Sequence, residues 1–315
     1  MEETVSVIMP VFNSSDTISR AIESVLKQSY PIHEIICVDD CSTDDSRTKI
    51  EQWQRTHPIV RYLRLDENGG PSVARNFGLA AATGQWVAII DSDDAWKDGR
   101  IEAMMDAAVR YQADIVCDTP MLYDAVAGCE IRPAITGLEK PVRVSLECFL
   151  ENSFLGSFQY ALLKYLAKRE FLVKNKVCYE KNLRFGEDLL FFIDALIKNG
   201  QMILIKYVGY IYSVQVGPIS KKKNINSQTK SNFLYLAEIL ERYEFSNYKT
   251  LSCEEEKILN KLVNHFKIID KSNAARNFRR QKNYIKYITM MLDVELVSTL
   301  IRIRIANFAK DRLRS

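Results

Sequence analysis

The first 118 residues alternate short apolar runs with stretches of helical periodicity, and this alternation limits the possible folds more than any other feature. Apolar runs at residues 4–11, 34–39, 60–65, 86–90 and 114–117 predict buried strands. Apolar residues spaced three and four apart predict a helix after each of the first four runs. Strands and helices in this order form a mainly parallel sheet with helices on both faces. The sequence therefore predicts an α/β fold.

Acidic residues follow two of these strands directly. Asp39 and Asp40 end the second strand, and Asp91, Asp93 and Asp94 follow the fourth. Ligands of parallel sheets bind at the carboxyl ends of the strands, and Mg²⁺ or Mn²⁺ commonly uses one or two carboxylates together with phosphate oxygens. The same residue types also form turns and helix caps. Two acidic clusters at one edge of a sheet favour the metal and phosphate interpretation.

The sequence lacks the motifs of several other functional classes. The turn after the first strand has no Gly-x-Gly-x-x-Gly and the chain has no Walker A sequence, which argues against NAD, FAD or P-loop nucleotide binding. Seven cysteines without a Cys-x-x-Cys pair predict free thiols in a reducing compartment. The longest uncharged stretch is residues 76–90, shorter than the roughly 20 residues of a membrane-spanning helix. Residues 1–7 have no basic segment, so we expect no signal peptide there.

Four motifs resemble those of family 2 glycosyltransferases in order and spacing. They are Pro10-Val11-Phe12-Asn13, Val38-Asp39-Asp40-Cys41-Ser42-Thr43-Asp44, Asn68-x-Gly70-x-x-x-Ala74-Arg75-Asn76-x-Gly78 and Asp91-Ser92-Asp93-Asp94. The resemblance is dense over residues 4–118 and thin up to about residue 220. It implies inverting enzymes with the GT-A fold, a Rossmann-like, mainly parallel sheet flanked by helices, here with a C-terminal helical extension.

The resemblance also implies a donor pocket for a nucleotide sugar. Phe12 corresponds to the aromatic residue that packs on the base, and Asp40, beside Asp39, to the acid that accepts from a base N–H. A carboxylate can accept from uracil N3–H, which favours a UDP-sugar. Arg75 matches the stretch that lines the pocket. The pocket residues by resemblance are Pro10, Phe12, Asp39, Asp40, Asn68, Gly70, Arg75, Asp91 and Ser92.

Asp91 and Asp93 resemble the family's metal-binding Asp-x-Asp, which implies Mn²⁺ or Mg²⁺ as the cofactor. One acid lies near the ribose and the other on the metal that bridges the diphosphate, and Asp94 is a further candidate for this role. Trp96 follows the cluster directly. It either walls the sugar pocket or packs in the core.

The candidate for the catalytic base is Asp188, with Glu187 beside it. Inversion at the sugar requires a group that deprotonates the attacking hydroxyl. The Gly186-Glu187-Asp188 run resembles the family's acidic pair at the start of a helix beneath the acceptor site. The alternative is that both acids simply stabilise the first turn of a helix through its dipole.

The C-terminal part differs in charge from the rest. Residues 1–213 carry 23 basic and 30 acidic residues, whereas residues 214–315 carry 20 and 10. We therefore divide the chain into a GT-A domain at 1–220, with a nucleotide-binding half at 1–118 and an acceptor-binding half at 119–220, and a basic, mainly helical region at 221–315. Ser213 stands where many family members have Arg or His, and residues 221–223 are a lysine run, either a phosphate clamp or a solvated charge run.

The predicted function is transfer of a sugar from a nucleotide donor to a glycan or lipid-linked acceptor in bacterial surface polysaccharide assembly. The basic region predicts peripheral contact with an anionic membrane, so the enzyme would be cytoplasmic, at the inner face of the cytoplasmic membrane. No motif indicates nucleic-acid binding, and the sequence leaves the oligomeric state open. The rival functions are a sugar nucleotidyltransferase, whose glycine-rich phosphate loop is missing, and a nucleotide- or glycan-binding scaffold without catalysis.

Overall fold

The computed structural model describes residues 3–153, 160–183, 186–214, 233–247 and 251–280. The chain divides into two compact units, Met1–Thr229 and Lys230–Ser315. The domain boundary predicted near residue 220, and the lysine run at 221–223, lie outside the described residues.

The first unit follows the predicted alternation of strands and helices up to residue 117. Its strands are β1 (Val5–Val11), β2 (Ile32–Asp39), β3 (Val60–Arg64), β4 (Trp86–Ile89), β5 (Ala95–Trp96), β6 (Ile115–Cys117), β7 (Pro120–Asp124), β8 (Cys129–Pro133), β9 (Val142–Val144), β10 (Tyr165–Lys168), β11 (Met202–Leu204) and β12 (Tyr210–Val214). Its helices are α1 (Ile18–Leu26), α2 (Ser46–Thr56), α3 (Pro71–Ala81), α4 (Arg100–Tyr111), α5 (Leu146–Ser153), α6 (Arg169–Asn175) and α7 (Glu187–Ile197), with a 3₁₀ turn at Tyr160–Leu162.

The central sheet has eight strands in the order β3-β2-β1-β4-β10-β6-β11-β9. Strands β3, β2, β1 and β4 are mutually parallel, so their carboxyl ends meet at one edge. Strand β10 lies between β4 and β6 and runs antiparallel to both. Because an antiparallel strand begins where its parallel neighbours end, the residues just before β10 lie at the same edge as the acidic clusters.

A second sheet, β5-β12-β7-β8, was foreseen only at β12, where residues 209–213 have a strand-like pattern. Strand β12 pairs antiparallel with β5 and parallel with β7. Strand β5 directly follows the Asp91–Asp94 segment, so β12 is brought beside that segment.

The described part of the second unit consists of α8 (Phe233–Asn247) and α9 (Cys253–Arg280), as the helical pattern predicts. The buried side chains Leu236, Ala237 and Leu240 of α8 and Ile258 and Leu262 of α9 give these helices an apolar interface. The basic residues predicted to face a membrane lie in residues 276–315, whose side chains are outside the described part.

Within the described residues, no helix is both long and apolar enough to cross a membrane.

Candidate active site

A buried ion network joins the loop after β4 to the start of α7. The Arg75 guanidinium, on α3, lies 2.8 Å from Asp91 Oδ1, 3.0 Å from Glu187 Oε1 and 3.5 Å from Asp188 Oδ1. It also lies over the Tyr179 ring, 5.1 Å from the centroid. Arg75 therefore brings together the predicted Asp-x-Asp and the predicted base, although the sequence separates them by nearly a hundred residues.

Lys164 completes this network and was not predicted. Its Nζ lies 2.7 Å from Asp188 Oδ2 and 3.0 Å from Asp91 Oδ2. Burial alone would lower the pKa of Lys164, but the charges of Asp188 and Asp91 outweigh it and hold the pKa above its usual value. The sequence signal was a lone lysine between apolar residues 160–163 and 165–167, because a charge in a buried run needs a partner.

Asp91 and Asp93 differ sharply in their surroundings. Burial alone would raise the pKa of Asp91, but Lys164 and Arg75 outweigh it and hold the pKa well below its usual range. Burial and the neighbouring Asp91 charge instead raise the pKa of Asp93 to about 6. In the described part of the chain, no side chain donates a hydrogen bond to the Asp93 carboxylate, so this acid is the one left to meet a ligand.

The Asp94 carboxylate, unlike that of Asp93, is bound to strand β12 of the second sheet. Its carboxylate accepts hydrogen bonds from the Tyr210 hydroxyl and the Ser213 amide, each at 2.7 Å. Burial and the charges of Asp93 and Asp91 raise its pKa well above the usual value. The structure therefore gives Asp94 a part in joining the Asp-x-Asp loop to β12, and the metal-sharing role considered from the sequence stays a prediction.

Arg20, on α1, is a second cation that the sequence did not single out. Its Nη2 donates to the Asp93 carbonyl oxygen at 2.5 Å and to Ser213 Oγ at 2.7 Å. A guanidinium from a distant helix thus lies against the side chain of Ser213. No local pattern marks it, because Arg20 lies on the side of α1 opposite the buried face of Ile18, Ala21, Ile22 and Val25.

Asp39 and Asp40 hold the surrounding loops. Asp39 accepts from the Ser42 amide and the Tyr62 hydroxyl, each at 2.8 Å. The Asp40 carboxylate accepts from the amides of Gly69 and Gly70 at 2.7 and 2.9 Å. Both oxygens of Asp40 therefore fix the turn before α3, and its bond to a base N–H stays a prediction.

That turn depends on two further residues of its motif. Asn68 Nδ2 donates to the Asp40 carbonyl oxygen at 3.0 Å. Gly70 has a φ of 83°, a left-handed conformation that costs glycine little, and Pro71 occupies the first position of α3 as predicted.

The loop after β1 supplies an exposed aromatic ring. Phe12 is 39% exposed, which leaves its face available to a planar ligand, whereas Pro10 lies within β1 opposite Val38. Ser92 is buried, and its hydroxyl lies 2.7 Å from Ser14 Oγ. This contact ties the loop after β1 to the Asp-x-Asp loop.

Trp96 packs in the core. It is 3% exposed, and the Arg100 guanidinium lies over its ring at 4.7 Å. Arg100 in turn forms a fully buried ion pair with Asp118. Of the two interpretations from the sequence, packing describes Trp96, because a side chain enclosed on all sides cannot wall a pocket.

The carboxyl edge of the sheet suits a divalent ion only if a bound ligand supplies further oxygen atoms to that ion. No group of three or more His, Cys, Asp or Glu side chains is placed to hold a metal among the described residues. Asp93 offers a carboxylate without a described side-chain donor, while Asp91 is already neutralised by two cations. Mg²⁺ often keeps waters and binds one or two carboxylates plus substrate phosphates. The donor set therefore suits a metal carried with a diphosphate, held by Asp93 with Asp91 beside it.

Comparison with known proteins gives consistent matches. A profile of glycosyl transferase family 2 matches residues 6–135. The succinoglycan biosynthesis protein ExoO of Rhizobium meliloti (strain 1021) is 34% identical over 222 residues, 69% of this chain and 62% of ExoO. The putative teichuronic acid biosynthesis glycosyltransferase TuaG of Bacillus subtilis (strain 168) is 44% identical over 102 residues, 32% of this chain and 40% of TuaG. The chain thus spans less than two thirds of either relative.

Two further matches cover almost the whole chain. The poly(ribitol-phosphate) beta-N-acetylglucosaminyltransferase TarP of Staphylococcus aureus (strain N315) is 26% identical over 317 residues, 93% of this chain and 94% of TarP. The crystal structure of S. aureus TarS 1–349 in complex with UDP-GlcNAc covers 91% of this chain and 90% of its own, with a TM-score of 0.59 and 20% identity. This likeness shows the GT-A fold. All four motifs lie inside the matched residues 6–135, so this part of the chain belongs to glycosyl transferase family 2.

Proposed function

We propose that this protein is a metal-dependent, inverting glycosyltransferase of the hexosyltransferase type. It transfers a sugar from a UDP-sugar to a hydroxyl group of a glycan or lipid-linked oligosaccharide during cell-surface polysaccharide biosynthesis. The relatives named for succinoglycan, teichuronic acid and poly(ribitol-phosphate) support the setting. The UDP-GlcNAc complex of TarS supports the donor class.

One observation carries the proposal. The Asp93 carboxylate, which no described side chain holds, lies beside Asp91, and the buried cations Arg75 and Lys164 connect Asp91 to Asp188. The acid proposed for the donor and the acid proposed as base are thus held at one edge of the sheet. That is the arrangement that an attack on a nucleotide sugar requires.

The proposed reaction assigns a separate role to each of these side chains. Phe12 would stack on the nucleobase, and Asp93, with Asp91, would hold a divalent ion together with the donor's phosphates. Asp188, whose carboxylate remains partly exposed, accepts the proton of the acceptor hydroxyl as it attacks. Glu187 is held by Arg75 and keeps that cation in place. A bound divalent ion supplies charge neutralisation on the departing nucleoside diphosphate.

The test is turnover of nucleotide sugars with Mn²⁺ or Mg²⁺, followed by UDP release. We expect Asp93→Asn to lower the rate at least 100-fold, since it removes the charge that would meet the metal. The matched control is Asp98→Asn, because Asp98 is an exposed acid in the same segment, and its rate should stay within twofold. Proton NMR of the product should show a β linkage from an α-linked donor.

Four outcomes would contradict the proposal. Full activity of Asp93→Asn, or a metal-independent rate, would remove the role given to Asp93. UDP binding without any turnover by the wild-type protein would favour the nucleotide-binding scaffold instead. Formation of a nucleotide sugar from a sugar phosphate would favour the nucleotidyltransferase.

We also propose that the basic C-terminal region brings the enzyme to the inner face of the cytoplasmic membrane. Its excess of basic residues supports this, since each one near an anionic surface contributes about 1 kcal/mol.

A further inference from the structure

Lys164 is a buried cation that none of the sequence motifs includes. Its side chain is 5% exposed, and its ammonium group contacts Asp91 and Asp188 and no other carboxylate that the structure describes. Taking an ammonium group out of water is strongly unfavourable unless close partners compensate for it. The position is therefore tightly defined by the two acids that it joins.

The topology explains how the lysine reaches them. Residue 164 immediately precedes β10, which pairs antiparallel with β4 through Leu166 opposite Ala88. The start of β10 consequently lies at the carboxyl end of β4, where Asp91 follows. The start of α7 reaches the same edge with Asp188 in its first turn.

The two acids do not depend on Lys164 equally. Asp91 is also held by Arg75 at 2.8 Å, a hydrogen-bonding distance. Asp188 has a longer 3.5 Å approach to Arg75, and its 2.7 Å hydrogen bond comes from Lys164. Without the ammonium group, Asp91 would keep a close partner, whereas Asp188 would lose its main one and could turn within the site.

We propose that Lys164 is a positioning residue that fixes the Asp188 carboxylate against the acceptor hydroxyl. This inference rests on the proposed function. A general base acts only within hydrogen-bond reach of the proton it removes, and a misplacement of about 1 Å can cost about 100-fold in rate. The lysine does not touch the reacting atoms, and its effect passes through Asp188.

A double-mutant cycle separates this role from a general structural one. The variants are Lys164→Met, Asp188→Asn and the double variant, measured as kcat, donor KM and UDP affinity. We expect Lys164→Met alone to lower kcat about 10- to 100-fold while UDP affinity and donor KM change less than threefold, because Arg75 still holds Asp91. In the Asp188→Asn background the same change should alter kcat less than threefold.

The control and the second variant exclude simple loss of folding. Lys198→Met removes another lysine–aspartate pair of α7, with Asp194 at 2.8 Å, and should leave kcat within twofold. Lys164→Gln keeps a hydrogen-bond donor and should retain more activity than Lys164→Met if both fold by circular dichroism.

The results distinguish the two proposals. Independent, multiplicative effects of the Lys164 and Asp188 changes on kcat would overturn the positioning role alone. So would a Lys164→Met variant whose loss lies entirely in UDP affinity. A wild-type protein without turnover on nucleotide sugars would overturn the proposed function and this inference together.

Discussion

Neighbouring acids in this protein are used in different ways, and their hydrogen-bond partners decide which. Asp91 is neutralised by two cations, whereas Asp93, two residues later, receives no hydrogen bond from a side chain that the structure describes. Residues two apart share a side of an extended segment, so spacing alone treats them as equivalent. The difference arises from Lys164 and Arg75, which come from other parts of the chain.

Glu34 is a structural acid at the opposite edge of the sheet. Its carboxylate accepts from Ser6 Oγ at 2.7 Å, from the Thr83 amide and hydroxyl at 2.8 and 2.7 Å, and from Arg61. Burial alone would raise its pKa, but these donors outweigh it and lower the pKa from 4.5 to about 2. A lowered pKa in the folded state stabilises the fold above the unfolded value of 4.5, and this stabilisation is lost as pH falls toward 2.

We expect Glu34→Gln to lower the free energy of unfolding by about 2 kcal/mol at pH 7, with a smaller difference from wild type as pH falls below 4.5. Urea unfolding at pH 7 and pH 3 measures both. Glu51→Gln, in an exposed pair with Arg47, is the control and should change stability by less than about 0.5 kcal/mol. A difference that grows toward low pH would contradict the assignment.

At the scale of elements, helix α3 connects the core to the site. It begins at the turn fixed by Asp40, carries Arg75 into the ion network, and passes closely over the sheet at Gly78. A Cβ atom at Gly78 would lie 2.4 Å from Ile8 Cγ2 on β1 and 3.3 Å from Val38 Cγ2 on β2. The glycine in this motif is thus required by the approach of the helix to the strands.

We expect Gly78→Ala to destabilise the protein by about 1–3 kcal/mol, because overpacking outweighs the better helix propensity of alanine. The displaced helix should also weaken UDP binding. Thermal unfolding and calorimetric titration with UDP measure the two effects. Ala80→Leu adds more volume at an exposed position of α3 and should change neither, and a stable, fully binding Gly78→Ala would refute the packing argument.

Among the described strands, the sequence predicted β1 to β4, β6 and β12. Strands β1 to β4 and β6 and helices α1 to α4 follow from local periodicity, because each is long enough to show one apolar face or run. Strands β7 and β8 are mostly outside the core and β5 and β9 have two and three residues, so none of these four shows a buried apolar run. Strand β10, which inserts antiparallel between β4 and β6, is selected by pairing across the chain.

At the scale of the whole molecule, charge is divided along the chain. The acidic part contains the site, and the basic residues predicted for membrane contact lie in the C-terminal part. Attraction to anionic lipid is screened by salt, so membrane binding through the basic region should weaken as the salt concentration rises.

We expect the full chain to float with vesicles containing anionic phospholipid at about 0.1 M salt, where the Debye length is about 10 Å, and to be released at about 1 M, where it is about 3 Å. A chain ending near residue 225 should stay at the bottom of the gradient. Neutral phosphatidylcholine vesicles are the control for apolar insertion. Equal flotation of the full and shortened chains would contradict membrane contact through the basic region.

The sequence by itself determined the α/β alternation and the presence of acids at the ends of β2 and β4, because periodicity and strand ends are local properties. It also indicated the acidic pair at the start of α7. The tertiary structure decided that cations neutralise Asp91, that Asp93 is left to meet a ligand, and that Asp94 joins its loop to β12. Lys164, Arg75 and Arg20 reach the acidic segments from distant parts of the chain. Only folding brings such charges within hydrogen-bonding distance, at a partly buried edge where water screens them less than in bulk solvent.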